Sequence, residues 1–326
     1  MASSAERPEL SIVVPVFNEA ENLPLLAPRL IATLEPIVAS FEVVFVDDGS
    51  ADATLETIRA LNAADPRLRA VALSRNFGKE IAIAAGLEHC RGQAAVIIDA
   101  DLQHPPEMIA RFVELWRQGY ENVYGQRIDR SGDSALRRAL TQRFYKLFES
   151  FGETHLPEGA GDFRLLDRKA IDALATMQER ARFSKGLYAW IGFKSIGVPF
   201  DVAERAHGQS KFSYRKLTRF ALDGLTSFSS LPLQVWTYVG FAISALAVLA
   251  ALYFLLEYII KGATTPGFAT LIISVMMLSG VQLLSLGVLG SYIGRIFSEV
   301  KRRPLYVVGE RIGLDASVER RRAPGA

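Results

Sequence analysis

The predicted fold depends on residues 96–104, Val96-Ile97-Ile98-Asp99-Ala100-Asp101-Leu102-Gln103-His104. Three apolar residues that favour strands run into two carboxylates one residue apart, and Pro105-Pro106 then favours the start of a helix. The acids are therefore expected where a buried strand ends and the chain turns. Carboxylates at positions i and i+2 of such a loop can hold Mg²⁺ or Mn²⁺ together with diphosphate oxygens, although an acidic loop that only caps the next helix would have the same pattern.

Length and composition predict a globular part followed by membrane segments. The chain has 326 residues, 50% of them hydrophobic, and the excess of apolar residues lies in the last third. Its one cysteine, Cys90, excludes a disulfide framework and a cysteine metal site, so a reduced, cytoplasmic globular part is expected. Residues 1–10 lack the basic and apolar regions of a secretory signal. The net charge of +2 is too small to predict nucleic-acid binding.

Three further segments repeat the pattern of an apolar strand followed by a helix. They lie at 10–16, 41–46 and 69–73, so four β-α units in succession predict an α/β fold with a doubly wound, mostly parallel sheet. Such a sheet binds its ligand at the carboxyl ends of its strands, where five acids fall: Glu19, Asp47, Asp48, Asp99 and Asp101. No Gly-x-Gly-x-x-Gly follows the first strand and no P-loop motif occurs, so nicotinamide binding and P-loop phosphoryl transfer lack support.

Three motifs resemble the inverting family 2 glycosyltransferases of the GT-A fold. They are Val14-Pro15-Val16-Phe17-Asn18-Glu19, Val46-Asp47-Asp48-Gly49-Ser50 and Asp99-Ala100-Asp101-Leu102-Gln103. Within that family the chain is most similar to polyprenyl-phosphate glycosyltransferases, the group of dolichol-phosphate mannose synthase and the bactoprenol glucosyltransferases, over nearly its whole length. The resemblance implies that the nucleoside is held by Pro15, Phe17, Glu19 and Asp47 or Asp48, and that metal and diphosphate are held by Asp99, Asp101 and Gln103. Phe17 stands where the family usually has tyrosine, so that hydroxyl is absent here.

Basic residues in the middle of the chain predict the acceptor side. Arginines between 127 and 143 can form one cationic face, which suits either a phosphate monoester or anionic lipid head groups. The resemblance implies that Arg127, Arg137 and Thr141 bind the lipid phosphate and that Asp162 lies near the acceptor. A phosphate monoester is largely ionised at neutral pH, so Asp162 either acts as a base or only positions the acceptor or the metal. A later segment resembles the family loop that places cations on the donor diphosphate. The resemblance implies that Arg205, Ser210 and Lys211 of this loop bind the donor.

Two uncharged stretches near the carboxyl terminus predict a transmembrane hairpin. Residues 235–256 and 268–290 are each longer than the about 20 helical residues that cross a hydrocarbon layer. The alternative, two buried helices of a soluble core, is disfavoured by these lengths. Basic residues precede and follow this pair, with only Lys261 between them, so both ends are expected to be cytoplasmic. Residues 214–230 have apolar residues at helical spacing, which suits a helix in the membrane interface or one packed on the globular part.

The sequence thus predicts four parts: a cytoplasmic GT-A catalytic domain at 1–212, an amphipathic juxtamembrane helix at 213–231, two transmembrane helices at 232–298 and a basic cytoplasmic tail at 299–326. The resemblance implies a multi-pass inner- or plasma-membrane enzyme and a homo-oligomer, with a tetramer expected.

The activity that the resemblance implies is transfer of glucose from UDP-glucose to undecaprenyl phosphate, with inversion and with Mg²⁺ or Mn²⁺. The product would be a lipid-linked sugar donor for cell-envelope glycosylation. GDP-mannose or another UDP-sugar is an alternative donor, and a non-catalytic membrane scaffold that keeps the nucleotide pocket is an alternative role. A processive polysaccharide synthase lacks support, because its Gln-x-x-Arg-Trp motif and further spans are absent.

Overall fold

The computed structural model describes residues 7–127, 160–177, 179, 182, 184–200, parts of 238–260, and 267–314. The described residues fall into two units, one with those up to 200 and from 303 onward and the other with those from 238 to 302. Several predictions lie outside the described residues: the side chain of Arg127, the amphipathic helix, the connection at 261–266, and the site residues Arg137, Thr141, Arg205, Ser210 and Lys211.

Strands and helices alternate along the first unit, as the four predicted β-α units require. The elements are β1 (Leu10–Val16), α1 (Leu23–Leu34), β2 (Phe41–Asp47), α2 (Thr54–Ala64), β3 (Leu68–Leu73), α3 (Lys79–His89), β4 (Ala94–Ile97), α4 (Met108–Arg117), β5 (Asn122–Arg127), β6 (Ala160–Asp167), α5 (Arg168–Thr176), α6 (Ser184–Trp190), β7 (Ser195–Phe200) and β8 (Val308–Ile312). The strands β1 to β4 are almost wholly buried, because a parallel sheet with helices on both faces has no solvent side.

The strands form one sheet in the order β7-β5-β6-β4-β1-β2-β3-β8. Strand β1 pairs in parallel with β2 and β4, and β2 pairs in parallel with β3, which confirms the predicted α/β core. Strand β6 runs antiparallel between β4 and β5, and β8 runs antiparallel to β3. The sheet is therefore mixed. The carboxyl ends of β1, β2 and β4 lie side by side at one edge, where the first three motifs end.

The segment after the membrane region is not the tail that was predicted for 299–326. Residues 299 and 300 still belong to a long helix, and β8 continues the sheet beside β3. Ile312 is buried in the core, and Glu310 pairs with Arg59 at 2.7 Å. The prediction was wrong up to residue 312 because a short strand at a sheet edge needs few apolar residues, so the basic residues around it dominated the pattern.

Helix α3 lies unusually close to the sheet, and this closeness positions its amino-terminal end. A Cβ atom on Gly86 would lie 2.9 Å from Cγ2 of Val46 and closer still to Cγ1 of Val13. Only glycine therefore fits at this crossing, and the helix backbone rests directly on β1 and β2. Helix α3 begins at Lys79, so this contact fixes the place from which the Lys79 side chain extends.

The second unit contains α7 (Phe268–Val300), which includes one candidate membrane span among the described residues. The span is Met277–Val300, an apolar stretch of 24 residues whose most apolar part is not buried. The helix continues beyond the predicted end at Gly290, because Ile293, Ile296 and Phe297 keep its surface apolar. The described residues between 238 and 260 are helical too, with exposed apolar side chains. The two-helix hairpin stays a prediction.

Candidate active site

The loop after β4 brings three possible metal ligands together. Ile98 N–H still donates to the carbonyl of Val13 at 3.1 Å, and the chain then leaves the sheet at Asp99. Leu102 has a φ of 60°, a left-handed conformation that costs a side chain of this shape about 1–3 kcal/mol. The resulting turn places ligand atoms of Asp99, Asp101 and His104 within 4.8 Å of one another.

His104 is the member of this group that the sequence did not reveal. Its ring packs against Phe163 at 5.0 Å and Phe200 at 5.6 Å, and its side chain is 18% exposed. Burial is the main cause that lowers the pKa of His104, so the imidazole is neutral at pH 7. Its buried Nδ1 has no hydrogen-bond partner among the described residues and lies 3.9 Å from Oδ2 of Asp99.

The donor set fits a divalent cation such as Mg²⁺ or Mn²⁺. Two carboxylates supply the hard oxygen ligands that these ions prefer, and a neutral imidazole with a free lone pair can serve as a third ligand. The unpaired, buried Nδ1 of His104 beside the carboxylates is the observation that supports this fit. Gln103 uses its backbone N–H to donate to Oδ1 of Asp101 at 3.1 Å. Its predicted contact with metal or diphosphate stays a prediction.

A lysine joins this loop to the neighbouring strand. The ammonium Nζ of Lys79 lies 2.7 Å and 2.8 Å from the two carboxylate oxygens of Asp99 and 3.1 Å from Oδ2 of Asp162. Burial would lower the pKa of Lys79, but Asp162 and Asp99 raise it overall, so the side chain is charged. A lysine in the first turn of a helix opposes the helix dipole. That anomaly is the sequence signal that could have revealed this site residue.

Asp162 lies on β6, on the face that also carries Arg164. Burial alone would raise the pKa of Asp162, but Lys79, Lys185 and Arg164 lower it to about 2. Its Oδ1 is buried and has no hydrogen-bond partner among the described residues. The guanidinium of Arg164 lies over the ring of Tyr188, 3.7 Å from the ring centre. The predicted acceptor residue is therefore an ionised carboxylate with three cations around it, and these residues form one cluster of charged side chains.

Glu80, next to Lys79, adds a further acid to this cluster of charged side chains. Burial, and then the charge of Asp162, raise the pKa of Glu80 to about 7. The hydroxyl of Ser184 donates to its carboxylate. The cluster thus contains two carboxyl groups with different pKa values, and the ionised one, Asp162, contacts Lys79.

The loops after β1 and β2 form one wall of the candidate site. Asn18 N–H donates to the hydroxyl of Ser50 at 2.9 Å, and Glu19 N–H donates to the hydroxyl of Thr54 at 2.9 Å. Asn18 adopts a φ of 57°, which asparagine tolerates better than most residues. These bonds hold Phe17 outward, with 37% of its surface exposed. The arrangement places the predicted nucleoside-binding residues Phe17 and Glu19 on one rigid loop.

In this structure the carboxylates of Asp47 and Asp48 accept hydrogen bonds from groups of neighbouring loops. Oδ1 of Asp47 accepts from both the N–H and the hydroxyl of Ser50. The two carboxylate oxygens of Asp48 accept from the backbone N–H groups of Phe77 at 2.7 Å and Gly78 at 2.9 Å. Burial raises the pKa of Asp48. Asp48 therefore fixes the turn that leads into Lys79, while the predicted nucleoside contact of Asp47 or Asp48 stays a prediction.

The structure places the remaining predicted residues as far as they are described. Pro15 pairs with Val46 near the carboxyl end of β1, beside the loop that carries Phe17. Arg127 is the last residue of β5, whose partner strand β6 carries Asp162. The roles of the residues outside the described ranges stay predictions: Arg137 and Thr141 for the acceptor, and Arg205, Ser210 and Lys211 for the donor. The described site thus comprises the metal group, the Lys79–Asp162 pair and the Phe17–Glu19 loop.

Comparison with known proteins identifies the family of this chain. Residues 11–175 match the family described as Glycosyl transferase family 2. An uncharacterized glycosyltransferase of Synechocystis sp. is 46% identical and covers 94% of this chain and 96% of its own length. A bactoprenol glucosyl transferase of Shigella phage SfX is 41% identical over 93% of this chain and 99% of its own length. A prophage bactoprenol glucosyl transferase homolog of Escherichia coli is also 41% identical, over 92% of this chain and 98% of its own length. The chain belongs to glycosyl transferase family 2.

Proposed function

We propose that this enzyme transfers a sugar from a nucleoside diphosphate donor to a polyprenyl phosphate, with inversion at the anomeric carbon. The observation that carries the proposal is the metal-ligand group of Asp99, Asp101 and His104 at the carboxyl edge of the sheet, in a chain that is 41% identical to a bactoprenol glucosyl transferase over 93% of its length. UDP-glucose and undecaprenyl phosphate are the favoured substrates. GDP-mannose or another UDP-sugar is the alternative donor.

On the donor side, the chain's task is to hold the nucleotide and stabilise the departing diphosphate. A bound Mg²⁺ or Mn²⁺ would neutralise charge that develops on the leaving diphosphate, and Asp99, Asp101 and His104 would hold that ion. The exposed phenyl ring of Phe17 can lie against the base, and Glu19 on the same loop can accept a hydrogen bond from the nucleoside.

On the acceptor side, the reaction needs orientation more than proton removal. A phosphate monoester has a second pKa of about 6, so at neutral pH most of the acceptor already carries a nucleophilic anionic oxygen. Asp162, with its pKa lowered to about 2, is a weak base. Both facts support a positioning role for Asp162 over a general-base role. Arg127, Arg137 and Thr141 would then bind the lipid phosphate.

The acceptor's chemistry also supports attachment to a membrane. A polyprenyl phosphate is confined to a bilayer, and α7 exposes an apolar surface long enough to cross one. We infer that residues 235–256 and 268–290 form the hairpin, with the catalytic domain and both termini in the cytoplasm. The exposed apolar side chains of the helical residues between 238 and 260 support this inference.

The test of the proposed function is a transfer assay with the purified full-length protein. Radiolabelled UDP-glucose, other UDP-sugars and GDP-mannose are each incubated with Mg²⁺ or Mn²⁺ and polyprenyl phosphate, and label in the lipid fraction is counted. We expect one added sugar per lipid, with UDP-glucose the best donor. No label from any donor would contradict the proposal and favour a scaffold, and a polymeric product would favour a processive synthase.

Glu19→Gln should raise the donor KM on the order of tenfold and leave kcat nearly unchanged. A hydrogen bond to the nucleoside is equally strong in ground and transition states, so its loss weakens binding without slowing the chemical step. The loop should keep its shape, because Thr54 accepts from the backbone N–H of residue 19 and the side-chain oxygen of glutamine can still accept from Nδ2 of Asn22, which donates to Glu19 at 2.6 Å.

The matched control for this substitution is Glu21→Gln, because Glu21 is exposed on the same segment. Steady-state kinetics with varied donor at saturating acceptor should show wild-type constants for the control. An unchanged donor KM in Glu19→Gln would remove Glu19 from the nucleoside site.

A further inference from the structure

We propose that Lys79 is a positioning residue that joins the donor half of the site to the acceptor half and competes with the divalent cation for Asp99. The proposal rests on the proposed function, in which Asp99 serves the metal and Asp162 serves the acceptor. Lys79 contacts both oxygens of Asp99, at 2.7 Å and 2.8 Å, and Oδ2 of Asp162 at 3.1 Å. One ammonium therefore bridges the loop after β4 and strand β6, which carry different parts of the reaction.

The fold places Lys79 at this point through a chain of fixed contacts. Asp48, the residue directly after β2, accepts hydrogen bonds from the backbone N–H groups of Phe77 and Gly78, the two residues before Lys79. Gly78 has a φ of 101°, which favours glycine, and α3 begins at the next residue. Gly86 then holds α3 against the sheet. The ammonium is thus positioned from both sides, by a buried carboxylate and by a helix that cannot shift toward the sheet.

The contacts of Lys79 serve the site more than the stability of the fold. A lysine at the amino-terminal end of α3 is unfavourable for the helix, since the helix dipole repels a cation there. The Lys79 side chain is 44% exposed, so water screens its ion pairs. Its partner Asp162 is only 16% exposed but keeps Lys185 and Arg164 as further cations, so losing the ammonium should cost little free energy of unfolding. A role in orienting the two carboxylates for catalysis explains why a lysine stands at this unfavourable helix position.

Competition with the cation follows from the geometry at Asp99. Both of its carboxylate oxygens already contact the Lys79 ammonium, and a divalent ion that binds there must take at least one of them. An ammonium about 3 Å from the same oxygens also repels the ion by direct charge interaction. When the ion takes Asp99, Lys79 keeps its contact with Asp162, so the acceptor carboxylate stays in place.

The test uses Lys79→Met in the full-length protein, because methionine keeps similar length without the charge. Mn²⁺ binding to the donor-free protein is measured by electron paramagnetic resonance of free Mn²⁺. We expect about tenfold tighter Mn²⁺ binding, since the competing ammonium is gone, together with about tenfold lower kcat, since Asp162 has lost its partner. The donor KM should not rise, and the melting temperature should stay within a few degrees of wild type.

Two further variants separate contact from charge. Lys185→Met removes a cation that also acts on Asp162 but forms no ion pair with Asp99 or Asp162 among the described residues, so we expect Mn²⁺ affinity close to wild type. Lys79→Arg keeps the charge and should recover part of the lost turnover, with Mn²⁺ affinity near wild type. An equal rise in Mn²⁺ affinity in Lys185→Met would show a general field effect and overturn the proposed contact role.

The Mn²⁺ measurement keeps this inference separate from the proposed function. It needs neither donor nor lipid, so it gives a result even if the wild-type protein labels no lipid in the transfer assay. Unchanged or weaker Mn²⁺ binding in Lys79→Met would overturn the proposal about Lys79. A failed transfer assay with tighter Mn²⁺ binding in Lys79→Met would instead leave the competition at Asp99 established and refute the assigned reaction.

Discussion

Replacing Asp101 with asparagine should lower turnover on the order of a hundredfold or more while the protein keeps its fold. The substitution exchanges one anionic ligand beside the diphosphate for a neutral oxygen, which binds a hard cation far more weakly. The turn itself should survive. Oδ1 of Asp101 accepts from the backbone N–H of Gln103 at 3.1 Å, and the side-chain oxygen of asparagine can accept the same bond.

The measurement is lipid labelling at saturating donor over a range of Mn²⁺ concentrations, with the melting temperature recorded in parallel. Part of the activity should return at high Mn²⁺, because a weakened site fills when the ion is in excess. Asp52→Asn is the matched control. Asp52 is exposed and accepts from the N–H of Thr54 at 3.1 Å, a contact that asparagine can also make. Wild-type turnover of Asp101→Asn at limiting Mn²⁺ would remove Asp101 from the metal site.

The core of the fold could be predicted from the sequence because its strands are buried on both faces. Such strands are continuous apolar runs, and β1 to β4 all have this pattern. Strand β6 escaped prediction because Asp162 and Arg164 occupy one of its faces, which lines the site and therefore has to be polar. Strand β8 escaped because five residues at a sheet edge, two of them charged, have no diagnostic alternation.

The same distinction applies to the candidate site. Asp99 and Asp101 could be predicted because their position at a strand end follows from local sequence alone. The roles of Lys79 and His104 could not, since each depends on residues that are distant along the chain, and the unfavourable helix position of Lys79 marks the residue without naming its partners. Lys79 meets Asp162, and the His104 ring is held by Phe163 and Phe200. Strand β6 supplies a partner to both, so the failure to predict β6 concealed both residues.

Arg137→Ala should weaken the use of polyprenyl phosphate about 10- to 150-fold and leave nucleotide affinity nearly unchanged. A charge-assisted hydrogen bond to a phosphate is worth about 1.5–3 kcal/mol, which corresponds to that range. Arg137 lies outside the described residues, so the expectation rests on its sequence position and on the acceptor's charge. Nucleotide binding by calorimetry and titration of polyprenyl phosphate in detergent measure the two effects separately.

Arg137→Lys distinguishes a specific phosphate contact from attraction to the membrane surface. Lysine restores the charge but not the planar fork that donates two hydrogen bonds to one phosphate, so it should recover only part of the acceptor affinity. A basic surface that merely attracts anionic lipid would accept lysine fully. Arg111→Ala is the control, since Arg111 is an exposed helix residue that pairs with Glu114. If Arg137→Lys equals wild type at every acceptor concentration, the residue serves membrane attraction, and the specific contacts with the lipid phosphate are left to Arg127 and Thr141.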